Sequence, residues 1–258
     1  MDMFKYIKKG SKSENEGGTL LHKKLSFAAT EAYKLLRANL MFTLAGEEGC
    51  RIVGLTSSMR GEGKSTTAVN LSYTLAETGK KVLLIDADLR LPSVAKKLEI
   101  KGTPGLSNLL ADSEIIEGAI RKSDILESWD ILPAGDIPPN PTEMLGSLQM
   151  EKLITRLSEA YDYIILDLPP VNIVSDALVV SKLLSGMLVV VRENYSQRRE
   201  LKNCMRQLDL SSVKVLGYVL NIKGDDKSIS KKTKYAKVNS GDGEAFEKLK
   251  DKKEDSAK

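Results

Sequence analysis

Residues 56–66 read Thr-Ser-Ser-Met-Arg-Gly-Glu-Gly-Lys-Ser-Thr, and they are the most informative segment of the chain. It lies between an apolar run, 51–55, that is typical of a buried strand, and a segment, 65–77, whose apolar residues recur at helical spacing. A glycine-rich loop in this position surrounds phosphate oxygens with backbone N–H groups, and the helix N-terminus adds a favourable field. The stretch therefore predicts a binding site for ATP or GTP.

The side chains of this loop have separate expected roles. Gly61 and Gly63 permit backbone conformations and close approaches that a Cβ would obstruct. Lys64 places a cation near the β and γ phosphates, and the Ser65 hydroxyl is suited to ligate Mg²⁺. Ser58 stands where the pattern G-x-x-x-x-G-K-[ST] has its first glycine. The alternative is a glycine-rich surface turn that happens to contain Lys-Ser.

Two further apolar runs end in acidic residues. Asp86 and Asp88 follow the first run, and Asp167 follows the second, just before two prolines. In a parallel sheet covered by helices, ligands bind at the carboxyl ends of the strands, and beside a triphosphate Asp167 is expected to orient Mg²⁺ or its waters. The alternative for each acid alone is a strand-end cap or a surface residue.

Strands alternate with amphipathic helices along most of the chain, which is typical of an α/β domain. We expect a mostly parallel sheet covered by helices on both faces. The predicted strands lie near 51–56, 81–86, 162–167, 186–192 and 214–221. The expected divisions are a flexible N-terminal arm over 1–20, one domain over 21–223, and a flexible charged tail over 224–258 with a short helix near 244–252.

Composition narrows the class of protein. Lys plus Arg, 39, exceeds Asp plus Glu, 35, by only 4, which gives no argument for nucleic acid as a partner. Two cysteines and one histidine match neither a disulfide framework nor a metal cluster, so a reducing compartment is expected. The most apolar stretch, 183–191, is shorter than the roughly 18 residues of a membrane span, and the first residues lack a signal-peptide core. We expect a cytoplasmic protein whose membrane association depends on a partner.

Three segments resemble the Walker A, Walker A′ and Walker B motifs of the bacterial tyrosine kinases, the cytoplasmic kinases of capsule and exopolysaccharide assembly. They are 57–65, 83–90 and 164–170, and the segment 132–145, which contains Pro-Pro-Asn-Pro-Thr-Glu, also resembles the family. The similarity runs from about Leu25 to Ile222. It implies a P-loop NTPase fold of the deviant Walker branch, which includes the partition and septum-site ATPases.

Two loop positions bear on that assignment. Partition and septum-site ATPases carry an additional lysine five residues before the P-loop lysine, and the chain has Met59 there, which favours the kinase branch. Arg60 stands where the kinases usually have proline, so the beginning of the loop should be less constrained. The competing hypotheses are a partition-type ATPase switch without kinase activity and a degenerate scaffold.

The resemblance implies Mg·ATP-dependent transfer of phosphate to a tyrosine hydroxyl. Asp86 is expected to accept or orient the tyrosine proton, also because a base must lie at the phosphate end of the sheet. Arg90 is expected to contact phosphate or to steady the aspartates. The expected catalytic residues are Lys64, Asp86, Asp88 and Asp167, and the expected metal ligands are Ser65, Asp88 and Asp167.

Asn221 follows the last predicted strand and resembles the asparagine that reads the adenine edge in related ATPases. A simple strand-end turn is the alternative. The expected ATP-binding residues are Gly61, Glu62, Gly63, Lys64, Ser65, Thr66 and Asn221.

Glu31, Lys34 and Arg37 lie on neighbouring rows of one predicted helix. They resemble the Glu-x-x-Arg-x-x-Arg helix that holds neighbouring kinase subunits in a ring, with a lysine in place of the first arginine. A bidentate contact thereby becomes a point charge. The alternative is a solvated helix face with local ion pairs.

The family's tail holds a cluster of tyrosines phosphorylated by a neighbouring subunit, whereas the tail of this chain has one, Tyr235. Tyr235 is either the phosphorylation site or an unmodified tail residue. The resemblance also implies several partners: a membrane-anchored chain-length regulator that activates the kinase, protein tyrosine substrates, a tyrosine phosphatase and further copies of the chain.

Overall fold

The computed structural model describes residues 4–9, 20, 25–112 and 118–223. Within these residues, eight strands form one sheet: β1 (Phe4–Lys9), β2 (Arg51–Ser57), β3 (Val82–Asp86), β4 (Arg121–Lys122), β5 (Trp129–Leu132), β6 (Tyr163–Asp167), β7 (Gly186–Arg192) and β8 (Val215–Lys223). Their spatial order is β1-β8-β7-β2-β6-β3-β5-β4. All neighbours are parallel except β4, which is antiparallel to β5.

The helices in the described part of the chain are α1 (Phe27–Thr43), α2 (Lys64–Ala76), α3 (Val94–Leu98), α4 (Leu106–Ala111), α5 (Pro141–Leu145), α6 (Leu148–Ser158), α7 (Asp176–Val179) and α8 (Arg198–Leu210), with a 3₁₀ turn at Ser181–Leu183. Two apolar clusters cover the two faces of the sheet. One contains Leu36 of α1 and Leu71 of α2, and the other contains Ile154 of α6 and Leu208 of α8. The predicted α/β fold with both faces covered is confirmed.

The central strands are apolar along their whole length because both of their faces are buried. All five residues of β3 and all five of β6 are buried. Successive side chains enter opposite clusters, so Leu83 packs with α6 and α8, whereas Leu84 packs with α1 and α2. Two helices begin at serine caps: the Ser26 hydroxyl accepts a hydrogen bond from the Ala29 N–H, and the Ser147 hydroxyl accepts one from the Met150 N–H.

The single tryptophan of the chain, Trp129, begins β5 and is fully buried. Its indole N–H donates to the Ser72 hydroxyl of α2 at 3.0 Å. The Tyr73 ring meets the indole edge to face, with 5.5 Å between ring centroids. The start of β5 is therefore fastened to the C-terminal half of α2.

The five predicted strands and the two predicted helices over 31–37 and 65–77 are present. The expected N-terminal arm needs a correction, because residues 4–9 form β1 and pair with β8. Lysines at three of its six positions make this segment polar in composition, and lysine is common on the edge strands of sheets.

Other expectations concern the membrane and the tail. No helix in the described ranges is long and apolar enough to cross a membrane, and the apolar stretch 183–191 is shared by the 3₁₀ turn and β7. The tail 224–258, with Tyr235 and the expected helix near 244–252, lies outside the described residues.

Candidate functional site

The three motifs meet at one edge of the sheet. Strands β2, β6 and β3 are neighbours, and in register Leu55 lies beside Asp167, which in turn lies beside Asp86. The loop after β2, the two acids after β3 and the acid that ends β6 therefore converge at the carboxyl ends of parallel strands, where α/β proteins bind ligands.

Lys64 lies between two of the acids. Its Nζ is 2.8 Å from Asp88 Oδ2 and 3.7 Å from Asp167 Oδ1, and the side chain is 11% exposed. Burial alone would lower the pKa of Lys64, but the charges of Asp167, Asp88 and Asp86 raise it above the ordinary value. The ammonium is therefore a permanent cation at the N-terminus of α2.

Asp167 has no exposed surface, and neither of its carboxylate oxygens has a hydrogen-bond partner among the described residues. Burial raises the pKa of Asp167, while the Lys64 ammonium and the nearby Ser65 hydroxyl act in the opposite direction. A buried carboxylate with no hydrogen bond of normal length and angle is unusual. It is suited to a hard cation such as Mg²⁺ or to the waters around one.

The residues at this edge fit Mg²⁺ held jointly with phosphate. No group of three or more acidic, histidine or cysteine side chains in the described ranges could hold a metal alone. Protein sites for Mg²⁺ commonly supply one or two carboxylates and leave the remaining positions to phosphates and water. Asp167, Ser65 and Asp88 are the residues here that would serve such an ion.

The carboxylate of Asp86 is held in place by three backbone N–H groups. Its Oδ2 accepts the backbone N–H groups of Ser93 and Val94, each at 3.0 Å, and its Oδ1 accepts the Asp88 N–H at 3.3 Å. Burial, together with the charge of Asp167, raises the pKa of Asp86 to about 7 despite these donors. The side chain both caps α3 and is able to exchange a proton near neutrality.

The Glu62 side chain is buried and accepts hydrogen bonds from the first residues of the phosphate loop. It is 1% exposed, and its carboxylate accepts the Ser58 hydroxyl at 2.8 Å and the Met59 N–H at 2.9 Å. The Ser196 hydroxyl also donates to this carboxylate. Only the backbone of Glu62 is then available to phosphate, and Ser58, the departure from the usual glycine, binds the acid that shapes the loop.

Three side chains contact the loop from β7, β8 and the turn after β7. Arg192 Nη1 donates to the Gly61 carbonyl at 2.9 Å, and the Tyr195 hydroxyl donates to the Arg60 carbonyl at 3.0 Å. Asn221 Nδ2 donates to the Glu62 carbonyl at 3.0 Å. The structure thus places Asn221, expected at an adenine edge, against the backbone of the phosphate loop.

The Arg90 side chain forms its contacts with α5 and α7 and not with the phosphate loop. Its guanidinium forms a two-pronged pair with Asp176, at 2.8 and 3.0 Å, and donates to the Thr142 hydroxyl at 2.8 Å. Asp176 is fully buried, and Thr142 also donates to it. Arg90 therefore ties the segment after β3 to α5 and α7 rather than pointing to a phosphate.

Sequence reasoning missed Asp176, Thr142, Arg192, Tyr195 and Ser196. Thr142 lies in the segment 132–145, which was singled out only by resemblance. Ser175-Asp176 has the composition of a helix start, and nothing in the sequence pairs it with Arg90, 86 positions away. The tyrosine and serine after β7 lie in an ordinary polar turn, so no local signal was available for them.

The helix expected to hold neighbouring subunits is α1. Lys34 pairs with Glu31 at 2.9 Å, and both side chains are nearly half exposed. Arg37 instead faces its own chain, because it donates to the Thr74 carbonyl at 2.7 Å and lies 3.8 Å from Glu77. Both contacts lie at the C-terminal end of α2, one helix length from Lys64, or about 20 Å.

Comparison with known proteins agrees with this geometry. A family model described as AAA domain matches residues 50–212. The tyrosine-protein kinase YwqD of Bacillus subtilis is 36% identical over 206 residues, which cover 80% of this chain and 84% of that protein. The tyrosine-protein kinase CpsD of Streptococcus agalactiae is 34% identical over 192 residues, covering 74% of this chain and 81% of the relative. Among solved structures, the chimerical protein CapA2B2 has a TM-score of 0.75 and 32% identity over 84% of this chain and 92% of its own.

Proposed function

The chain belongs to the bacterial tyrosine-protein kinases, and on this premise we propose that it transfers the γ-phosphoryl group of Mg·ATP to tyrosine hydroxyls, its own and those of other proteins. The observation that carries the proposal is the position of Lys64, between Asp88 and Asp167 at the end of a glycine-rich loop. Through this activity the protein regulates the synthesis and export of a capsular polysaccharide or exopolysaccharide.

The mechanism depends on positioning and charge. The backbone of residues 61–66 binds the phosphates, and Lys64 stabilises the charge that develops on them during transfer. Asp167, Ser65 and Asp88 would hold Mg²⁺, which supplies neutralisation of phosphate charge when bound. Asp86 accepts or orients the proton of the incoming tyrosine, for which the raised pKa of its carboxyl is suited.

The proposed partners follow from the family. A membrane-anchored chain-length regulator activates the kinase and keeps it at the inner face of the membrane, and a tyrosine phosphatase removes the phosphate. Copies of the chain associate through α1, with Glu31 and Lys34 on the surface of that helix. Tyr235 in the tail is the proposed phosphorylation site.

The decisive variant is Lys64→Met. We expect phosphotransfer to fall by a factor of about 100 or more, because a contact to transition-state charge is lost. The measurement is phosphotyrosine by mass spectrometry after incubation with Mg·ATP and the cytoplasmic tail of the candidate regulator. Thermal unfolding without nucleotide should show a loss of stability, because Asp88 and the buried Asp167 lose their counter-charge, so transfer is measured well below the unfolding temperature of the variant.

Lys80→Met is the matched control. Lys80 is 46% exposed and lies 3.8 Å from Asp162 at the opposite edge of the sheet, so its loss should leave transfer unchanged. Undiminished activity of Lys64→Met at saturating ATP would contradict the assignment of the loop. Hydrolysis of ATP by the wild type without any phosphotyrosine would instead favour the partition-type switch.

A further inference from the structure

On the outer side of the phosphate loop, three side chains donate hydrogen bonds to three consecutive carbonyl groups. Tyr195, Arg192 and Asn221 donate to the carbonyls of residues 60, 61 and 62, respectively. We propose that these three side chains, the carbonyl clamp, are positioning residues that set the loop for phosphate binding, and that Asn221 serves the clamp rather than the base. This inference rests on the proposed nucleotide site.

The planar peptide unit gives the clamp its effect. In a trans peptide the C=O of one residue and the N–H of the next point in opposite directions. When the carbonyls of residues 60, 61 and 62 are bonded on the outside, the N–H groups of residues 61, 62 and 63 face the inside of the loop. None of these three N–H groups donates to a backbone carbonyl in the described part of the chain. The clamp therefore leaves three aligned donors for an anion.

The two loop glycines fit the clamp closely. Gly61 and Gly63 have left-handed φ angles of 79° and 96°. A Cβ on Gly63 would lie 2.2 Å from Asn221 Nδ2, and one on Gly61 would lie 2.9 Å from the Tyr195 hydroxyl. The space that a side chain would need is occupied by the clamp. These glycines consequently serve the outer contacts as well as the approach of phosphate on the inside.

The clamp is itself fixed by other contacts. The Arg192 guanidinium lies over the Tyr195 ring, 4.8 Å from its centroid. The Ser196 hydroxyl accepts the Arg192 N–H at 2.8 Å and donates to the Glu62 carboxylate. The Glu193 N–H donates to the Asn221 carbonyl at 2.9 Å, which joins the turn after β7 to β8. The donors are thus held in place before any ligand arrives, and preorganisation of this kind increases affinity.

A ligand that has phosphates but no adenine base distinguishes the two possible roles of Asn221, in the carbonyl clamp and in binding the base. Binding of Mg·ADP and of Mg²⁺ with inorganic tripolyphosphate is measured by calorimetry on the full chain. For Tyr195→Phe and Asn221→Ala we expect both ligands to bind about three- to tenfold more weakly, because each variant removes one hydrogen bond that positions the phosphate donors. Tyr161→Phe is the matched control, since it removes a tyrosine hydroxyl bonded at 2.7 Å to Asp130 at the opposite edge of the sheet. It should leave both affinities unchanged.

The outcomes are distinct. A loss confined to Mg·ADP in Asn221→Ala would show that Asn221 reads the base, and unchanged affinities in Tyr195→Phe would remove Tyr195 from the clamp; either result overturns the proposal. If the wild type binds neither ligand, the proposed function fails at the nucleotide site. Should Asn221→Ala not fold, as judged by thermal unfolding without ligand, the result for Tyr195→Phe decides.

Discussion

Asp86 and Asp167 lie side by side on adjacent strands, yet their carboxylates have different surroundings. Three backbone N–H groups bond to Asp86, whereas neither oxygen of Asp167 has a donor in the described ranges. Backbone donors stabilise a charge without presenting it to a ligand, and bare oxygens leave room for a cation. We therefore propose different roles for the two acids: Asp86 holds the segment after β3 and exchanges a proton, and Asp167 would face Mg²⁺.

The raised pKa of Asp86 predicts a pH dependence of stability. Burial, the larger cause, and the charge of Asp167 raise this pKa from 3.8 to about 7, so the folded protein binds the proton more tightly than the unfolded chain. The free energy of unfolding should therefore fall as the pH rises between these values and level off above about 7. In Asp86→Asn the fall should be shallower, by on the order of 4 kcal/mol over the whole range.

Urea denaturation in EDTA, without nucleotide, provides the measurement. The slope against pH is the readout, because the variant also loses backbone hydrogen bonds that an amide nitrogen cannot accept, and its absolute stability will be lower. Parallel curves for wild type and variant would show that Asp86 titrates normally in the folded protein.

For individual residues, the sequence was informative where a residue follows an apolar run. Lys64 and the three acids were predicted because strand ends and a glycine-rich loop mark them, and the structure brings them together. Tyr195, Arg192 and Asp176 were not predicted, because their roles arise from contacts between segments that lie far apart in the chain. Glu62 was predicted to bind ATP because it lies between the two loop glycines. Its position in the sequence could not show that its side chain turns back to Ser58.

Among the elements, the strands that were predicted are those with uninterrupted apolar runs. Strand β5 was not predicted, since it has four residues and Asp130 among them. That acid is tolerated because Lys122 and Tyr161 both bond to its Oδ2, at 2.5 and 2.7 Å. These partners lie 8 and 31 positions away, so the local pattern could not reveal them.

Helix α1 has an unexpected apolar face. Phe27, Leu35 and Phe42 are 57%, 57% and 84% exposed, and their spacing of eight and seven residues places them along one side of the helix. Glu31 lies in the same row, whereas Arg37 points towards α2. We propose that a second copy of the chain covers this face, because the row includes the acid proposed for subunit contact.

We predict that Leu35→Glu combined with Phe42→Glu shifts the protein towards monomer in sedimentation velocity without lowering its thermal stability, since neither side chain is buried. Leu210→Glu is the control, at a site on α8 that is 74% exposed. Arg37→Ala should instead destabilise the fold by about 1.5 to 3 kcal/mol through the lost bond to Thr74, and leave association unchanged. Dissociation by Arg37→Ala alone would favour the family's arginine contact over the apolar face.

For the whole molecule, the order of the strands could not be predicted from local patterns. Strands β2 and β6 are adjacent although β3, β4 and β5 lie between them in sequence. The resemblance to the kinase family did predict that β2, β3 and β6 are neighbours, because the three motifs of a P-loop NTPase bind one nucleotide. The tail remains a prediction from sequence, since Tyr235 lies outside the described residues.

We predict that Tyr235 receives phosphate from a second copy of the chain. A Lys64→Met protein, which can only receive phosphate, is mixed with a Tyr235→Phe protein, which can only donate it. Phosphate should appear on Tyr235 of the inactive copy at a rate that rises with donor concentration. Labelling of the wild type at a concentration-independent rate, with the inactive copy unlabelled, would show transfer within one chain. Equal labelling of Tyr235→Phe and wild type would exclude this tyrosine as the principal site.

The burial of Trp129 against α2 gives the molecule an optical reporter. The chain has one tryptophan, so its tryptophan emission, excited at a wavelength that tyrosine does not absorb, comes from a single known place, and apolar surroundings shift that emission to shorter wavelengths. The indole is bonded to the same helix that begins at Lys64, through Ser72. Movement of this helix on ligand binding, or its separation from β5 on unfolding, will therefore change the fluorescence of the unlabelled protein, and the titrations and denaturation curves described above can be followed without a dye.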